Sequence, residues 1–350
     1  MVDWLVLRNL LSNACVRILF PFRKAWNYLS GTYSTWILLS SIVSITTFFL
    51  LYSSTQPGLF SLSEIGYYGS PIKNVVSDIP APVDNETKPE KAMENELASG
   101  ELFVRVNRKM VDTMMGYKAG WLPNDKISPT MFLDNNINFQ LGWREVLLRN
   151  ILTLRESLSR QDRSTSPIDP NVDKAYGHFS VNPTSWIFPS YEGELKKGNK
   201  ELGIYLGNLR DGKSGFYARD DTLVKLLEQY ASLLGSTSNK LLVNSGIGFF
   251  NQDDRFYFAK GVLWGMYHTL LAVRVEFRGP LSKDNGDKVL DSIIKELKMG
   301  IFEPAIVLNG DIDGPFNSHL ARLNVHLLMA RQKMNSLASI LLHRGSPSGG

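Results

Sequence analysis

The sequence predicts a mainly α protein: a single N-terminal transmembrane helix, a flexible linker and a multi-helix soluble domain of about seven helices. Three observations predict it. Residues 35–54 (TWILLSSIVSITTFFLLYSS) contain no charge and no proline. From residue 95 onward, apolar residues recur at steps of three and four. No stretch alternates as a half-buried strand would, and no internal repeat is visible.

The apolar run places everything else. At about 1.5 Å per residue it is just long enough for a bilayer core of roughly 30 Å, and an isolated span must bond its backbone to itself as a helix. Residues 1–34 carry Arg8, Arg17, Arg23 and Lys24 against one acid, Asp3, whereas the stretch 54–73 holds a single basic residue, Lys73. Cations resist translocation, so residues 1–34 are expected in the cytoplasm and the C-terminal mass on the far side. The run exceeds a signal-peptide core of roughly 7–15 residues and no small-x-small cleavage site follows it, which favours a signal-anchor. Residues 1–28 mix Trp4, Leu5, Leu7, Leu11, Ile18, Leu19 and Phe22 with the four cations. They read either as an amphipathic helix in the membrane interface or as a short cytoplasmic tail.

Residues 55–94, interrupted by Pro57, Pro71, Pro80, Pro82 and Pro89, read as a linker. Such a linker reaches roughly 35 Å and would hold the folded part off the membrane, unless part of it docks on the domain.

The domain is expected over 95–343. Leu102, Val106, Met110 and Met114 share one helix face that ends at Gly116. Trp143, Leu147, Ile151, Leu154 and Leu158 mark a second helix. Residues 163–189 read as a long surface loop. Ser190 caps a helix to about Arg210, with Leu195, Leu202, Tyr205, Leu206 and Leu209 inward. Asp220 or Asp221 opens the next, which Gly235 is expected to end. Asp253 begins the most apolar helix, with Lys260 the sole formal charge from Phe256 to Val273. It reads as a central core helix in preference to a second span, because Lys260 and His268 would be costly in lipid. Val289, Ile293 and Leu297 form a short helix ended by Gly300. In the last helix Leu320, Leu323, Leu327, Ala330, Met334, Leu337 and Leu341 form a heptad seam. The seam docks on the domain's own core or pairs two copies, the first being favoured. Residues 344–350 are expected to be disordered.

Several segments, in order, resemble a bacterial family designated only as a domain of unknown function, DUF 2333. They are Gly120-Trp121-Leu122-Pro123-Asn124-Asp125, Leu133-Asp134-Asn135, Ser185-Trp186-Ile187-Phe188-Pro189-Ser190 and Phe216-Tyr217-Ala218-Arg219. Asp253-Asp254-Arg255-Phe256-Tyr257, Val307-Leu308-Asn309-Gly310 and, in part, Asn317-Ser318-His319 continue the pattern. The resemblance implies a bacterial envelope protein with a mainly helical domain. It implies no activity and carries no catalytic residue.

The only cysteine, Cys15, precedes the apolar run, so the domain offers no disulfide, no thiolate zinc ligand and no cysteine nucleophile. A net charge of +4 without a dense basic cluster gives no case for nucleic acid. His319, Arg322 and His326 share a helix face, but two histidines seven apart lie about 10.5 Å apart along the axis, too far for one metal. His268, His319 and Asp254 are the candidate catalytic groups for an enzyme acting on cell-wall or lipid material. Asp311-Ile312-Asp313-Gly314 starts like a calcium loop but places Arg322 where the bidentate Glu belongs. Gly246-Ile247-Gly248 lacks the third glycine of a dinucleotide site. Phe216, Tyr217 and Arg219 are candidates for binding a carboxylate or phosphate, and Arg322 and His326 are further candidate binding residues. Arg219 is expected instead to pair with an internal acid such as Asp254.

No cofactor or metal is expected. The leading functional expectation is non-enzymatic: an inner-membrane scaffold or accessory subunit with its domain in the periplasm. Its partners would be the membrane itself and an envelope protein or a second copy. A lipid-binding module built on helix 256–273 is a further alternative.

Overall fold

The computed structural model describes residues 34–53, 56–67, 97–117, 120–125, 133–242, 252–304 and 318–343. The amphipathic reading of 1–28, most of the linker, the Gly246–Gly248 loop, the Asp311–Gly314 turn and the tail 344–350 lie outside them. The chain divides into two compact units, Met1–Ser53 and Ser54–Gly350. The described residues form ten α-helices and no strand.

In the first unit, α1 runs Ser34–Ser53, as the apolar, proline-free run requires. Its described side chains are those of Trp36 and residues 38–47, with Trp36, Leu38, Ile42, Val43 and Ile45 exposed. Among the described residues no helix is long and apolar enough to cross a membrane. The reading of 35–54 as a bilayer span is therefore an expectation from the sequence that no described helix bears out.

The second unit contains α2 (Glu101–Met115), α3 (Asp134–Thr153, prolonged by a π turn over Leu154–Leu158), α4 (Pro170–Phe179) and α5 (Tyr191–Arg210). Then come α6 (Asp220–Leu242), α7 (Gln252–Glu276), the single turn α8 (Arg278–Leu281), α9 (Gly286–Gly300) and α10 (His319–His343). The central pair is α3 and α7. Helices α2 and α9 pack on α7, α6 packs on α3, α7 and α10, and α4 lies along α5.

Two glycines set the central crossing. A Cβ on Gly142 would stand 2.0 Å from the Phe258 carbonyl oxygen, and one on Gly261 2.0 Å from the Phe139 carbonyl oxygen. Gly265, one turn on, faces the Val146 side chain. Gly261-Val-Leu-Trp-Gly265 is a small-x-x-x-small stripe that lets backbone meet backbone. Helix α7 is a core helix: Phe256, Val262, Leu263, Trp264, Leu270 and Val273 are fully buried.

A polar network threads this core. Asn150 donates to Asn107 Oδ1 (2.8 Å) and Thr269 Oγ1 (2.8 Å) and accepts from Tyr230 Oη (2.5 Å). Asn107 and Thr269 return their donors to the carbonyls of Phe103 and Gly265. Four helices are thereby held in one register, because displacing any member leaves a buried polar group unpaired.

Two sequence readings are corrected, and for the linker the docking alternative holds over 56–67. Helix α6 does not end at Gly235 but runs on to Leu242, and the Arg331 side chain packs where a Cβ of residue 235 would stand. The stretch 163–189 contains α4, started by Asp169, whose side chain accepts from the N–H groups of Asn171 and Val172, with Pro170 at the first helical position. The first part of the linker is a strap on the domain. Phe60 and Leu62 are buried, Trp264 Nε1 donates to the Gly58 carbonyl (3.0 Å), and Arg105 donates to the Ile65 carbonyl (3.0 Å).

The heptad seam of α10 faces inward: Leu320, Leu323, Leu327, Ala330, Met334, Leu337 and Leu341 are buried, with α6 and α9 as the helix's main neighbours. It offers no free face for a second copy.

Candidate functional site

His268, Asp254 and His319 lie in three separate surroundings. His268 is wholly buried. Its Nε2 accepts from the Phe60 N–H (3.0 Å), which leaves the proton on Nδ1, where it is donated to the Trp264 carbonyl (2.8 Å). The Phe60 ring stacks on the imidazole at 3.9 Å. Burial pushes the His268 pKa down to about 3, against the smaller upward pull of its two backbone bonds. It is a neutral rivet for the strap.

Asp254 lies fourteen residues earlier on the same helix, about 21 Å along the axis. It accepts from Asn138 Nδ2 (2.6 Å). Burial, reinforced by Asp134 and Asp253, raises its pKa to about 6. His319 lies beside the Phe302 ring. Among the described residues no three His, Cys, Asp or Glu side chains are grouped to hold a metal ion.

The anion-binding candidates are likewise engaged within the domain. Arg219 does not reach Asp254; it grips Asp221 (2.9 and 3.1 Å) and the Gln161 carbonyl (2.6 Å). With Tyr217 N–H donating to the Leu158 carbonyl (2.7 Å), it pins the loop before α6 to the end of α3. Phe216 is buried between Phe103 and Phe277. Arg322 lies over the Phe302 ring at 4.3 Å. His326 Nδ1 lies 3.0 Å from Glu296, which also takes Lys333 (2.7 Å). Against the upward push of burial, Lys333 and His326 hold the Glu296 carboxyl below its ordinary range.

The feature built for display is the loop between α4 and α5. Trp186, Ile187 and Phe188 are 45%, 57% and 99% exposed, three large apolar side chains in succession. Their base is fixed by buried polar groups. Trp121 Nε1 donates to the Pro183 carbonyl (2.8 Å), and Asn124 donates to the Ser185 carbonyl (3.0 Å) and to Glu192 (2.8 Å). Arg144 donates to the Phe179 and Val181 carbonyls (3.2 and 2.8 Å) and to Tyr191 Oη (2.7 Å). Tyr191 N–H donates to the Ser185 carbonyl (3.1 Å). The Gly120–Asp125 turn is itself held by Gln140 of α3, which accepts from Leu122 N–H (2.9 Å) and donates to the Gly120 carbonyl (2.7 Å).

Two of the motifs that resembled DUF 2333, Gly120–Asp125 and Ser185–Ser190, thus form one clamp and tip. The family described as an uncharacterized protein conserved in bacteria (DUF2333) matches residues 31–251 and 247–344. The chain belongs to the DUF2333 family. No curated protein and no solved structure matches it. In this DUF2333 protein the sequence alone did not single out the clamp, because Arg144 and Tyr191 read as ordinary helix positions. The legible signal was the run Trp186-Ile187-Phe188, too apolar for a solvated loop.

Arg144→Met is expected to lower stability by about 2 kcal/mol, since it takes the donor from the Val181 carbonyl and a charged bond from the buried Tyr191 hydroxyl, which keeps its own bond to the Phe179 carbonyl (3.1 Å). Thermal unfolding of the purified chain measures this, and an unchanged midpoint would mean the clamp is not held by Arg144.

Proposed function

We propose that this DUF2333 protein is a single-pass inner-membrane protein, N-terminus cytoplasmic, whose helical domain works in the periplasm as a non-enzymatic scaffold or accessory subunit of an envelope complex. One observation carries the reading. The side chains put forward for chemistry are engaged in holding the fold, while exposed apolar side chains of the domain, single ones such as Ile204, Leu242 and Met299 apart, gather in two groups on rigid elements. One group is the clamped tip at Trp186–Phe188. The other is the outer face of α10, with Val325, Leu328, Met329 and Leu342 exposed. Exposed apolar groups on rigid helices are the usual form of a binding surface. The uncharged run 35–54 and the cations before it support the anchored topology.

The outer face of α10, not its buried seam, is the surface for an envelope partner. Crosslinking in intact membranes, then mild-detergent purification and mass spectrometry, is expected to recover a stoichiometric partner. Leu328→Glu with Met329→Glu is expected to lose that partner while the melting temperature stays within a few degrees, as for other surface substitutions. A chain that purifies as a lone monomer under the same crosslinking would end this reading.

A further inference from the structure

We infer that the outer surface of α9 and α10 receives an acidic segment of a partner protein, with a carboxylate on Arg331 and apolar side chains against Leu328 and Met329. The inference rests on reading the outer face of α10 as a partner surface. Three observations carry it.

The first is the sign of the charge. Helix α10 holds no Asp or Glu in its 25 residues. The three acids of α9 are paired within the domain: Asp287 and Asp291 take Arg274 (3.4 and 2.8 Å), and Glu296 takes His326 (3.0 Å) and Lys333 (2.7 Å). The cations Lys288 and Lys295 of α9, and Arg322 and Arg331 of α10, are exposed. The fixed charges shown to solvent along these two helices are therefore positive. On the neighbouring α6 the exposed acids are already held, Glu228 by Lys225 (2.6 Å) and Asp221 by Arg219 (2.9 Å). A surface of one sign selects a partner of the other.

The second is the seat of Arg331. Glycine is a poor helix former in mid-helix, yet α6 has Gly235 where this guanidinium lies, its Cζ 3.0 Å from the place a Cβ would take. The missing side chain lets the arginine lie against α6. Among the described residues no acceptor takes its N–H groups. By contrast Arg149, Arg210 and Arg274 each hold a carboxylate of the domain. A seated, planar fork of donors with no internal acid suits a carboxylate brought from outside.

The third is what surrounds the arginine. An open cleft runs along α10 past Arg331 and is lined by Gln332, Asn335, Ser336 and Ser339, together with Leu328. Hydrocarbon would strip water from these amides and hydroxyls and return no hydrogen bond, whereas a polypeptide supplies donors and acceptors. Val325, Leu328 and Met329, exposed on the same helix, supply the apolar contact. This mixture of groups favours protein over lipid as the occupant.

The test uses the full chain in intact membranes, with the photo-crosslinker p-benzoylphenylalanine in place of Met329 and tandem mass spectrometry of the adducts. Two charge reversals are made in the same background: Arg331→Glu, and Lys288→Glu with Lys295→Glu. The expected adduct is a peptide of another protein with net negative charge, and each reversal is expected to lower its yield at least about tenfold. The α9 pair, both exposed, decides the matter even where Arg331→Glu disturbs the packing on Gly235, and melting temperatures of the variants show which losses are local. A neutral or basic peptide would overturn the inference and leave the face as a partner surface. So would an acidic peptide whose yield survives the α9 reversal and a folded Arg331→Glu. Adducts to a second copy of this chain would overturn the inference. Adducts confined to lipid, or none, would remove the partner surface itself and the inference with it.

Discussion

Gly142→Ala is expected to prevent the helical domain from folding. On a solvated helix the same change would gain up to about 1 kcal/mol, because alanine is the better helix former. Here the added methyl would lie 2.0 Å from the Phe258 carbonyl oxygen and 3.1 Å from the Val262 nitrogen. Both are backbone atoms of α7, so no side chain can swing aside. Relief requires moving α7 away from α3, which loosens the packing of Trp143, Phe139 and Trp264 and opens the Asn150 network. Overpacking of this kind belongs with losses above about 4 kcal/mol, a large share of the roughly 5–15 kcal/mol that holds a domain together. Gly261→Ala meets the Phe139 carbonyl in the mirror contact and should fail in the same way. Gly207→Ala on α5, where no atom lies within 4 Å, is the control and should be neutral or slightly stabilising. Circular dichroism and limited proteolysis of the three variants decide it. A cooperative, wild-type melt for Gly142→Ala would mean that the two helices do not cross this closely.

Acid is expected to weaken the domain through His268. The imidazole is neutral in the fold, with its pKa pushed down to about 3 by burial, whereas an unfolded histidine titrates near 6.5. The folded pKa is the lower one, so the unfolded chain binds the extra proton as pH falls. The contribution is fully present above about pH 6.5 and is lost progressively from there toward about pH 3. At about 1.4 kcal/mol per pH unit for one proton, the loss amounts to about 3 kcal/mol by pH 4. Protonation also turns Nε2 from an acceptor into a donor facing the Phe60 N–H, so the strap should release first. Asp254 works against this trend. Its folded pKa is raised to about 6, so its contribution is present below about pH 4 and is lost as pH rises through about 6. The difference between the parent chain and His268→Gln, both in an Asp254→Asn background, isolates the histidine. Denaturation midpoints between pH 7 and pH 4 should fall more steeply in the chain that keeps His268. Parallel slopes would mean that the imidazole is not buried neutral, and hydrogen exchange at Phe60 would show whether the strap opens with the same proton.

Where the fold is governed by local periodicity, it could be read directly. The faces of α2, α5 and α10 were legible because Leu102, Val106 and Met110, or Leu195, Leu202 and Leu209, mark one side of a helix whatever it packs against. The core assignment of α7 was legible because Lys260 and His268 would be costly in lipid. Misreadings arose where tertiary contact overrides local preference. Gly235 looks like a helix stop, but the Arg331 side chain uses the missing Cβ as a place to lie. Pro57 and Gly58 look like linker, yet Phe60 has a histidine to stack on 208 residues away. Arg219 was assigned a distant acid when one two residues on was nearer. The Gly261–Gly265 stripe was present in the sequence, but its meaning depends on Gly142 of another helix. The clamp was illegible for the same reason: Asn124, Arg144 and Tyr191 mean nothing together until α3 brings them to one loop.

The strap has a mechanical consequence. Gln56 to Tyr67 binds the domain on its own account, and the next anchored stretch begins separately, where Gly100 and Leu102 donate their N–H groups to the half-buried Glu276 carboxylate (both 2.8 Å). A pull on the backbone at Gln56 is met by Gln56 on Asn136 of α3, by the Phe60 N–H on His268 of α7 and by the Ile65 carbonyl on Arg105 of α2. A pull on the strap thus meets a shear joint whose load three helices share.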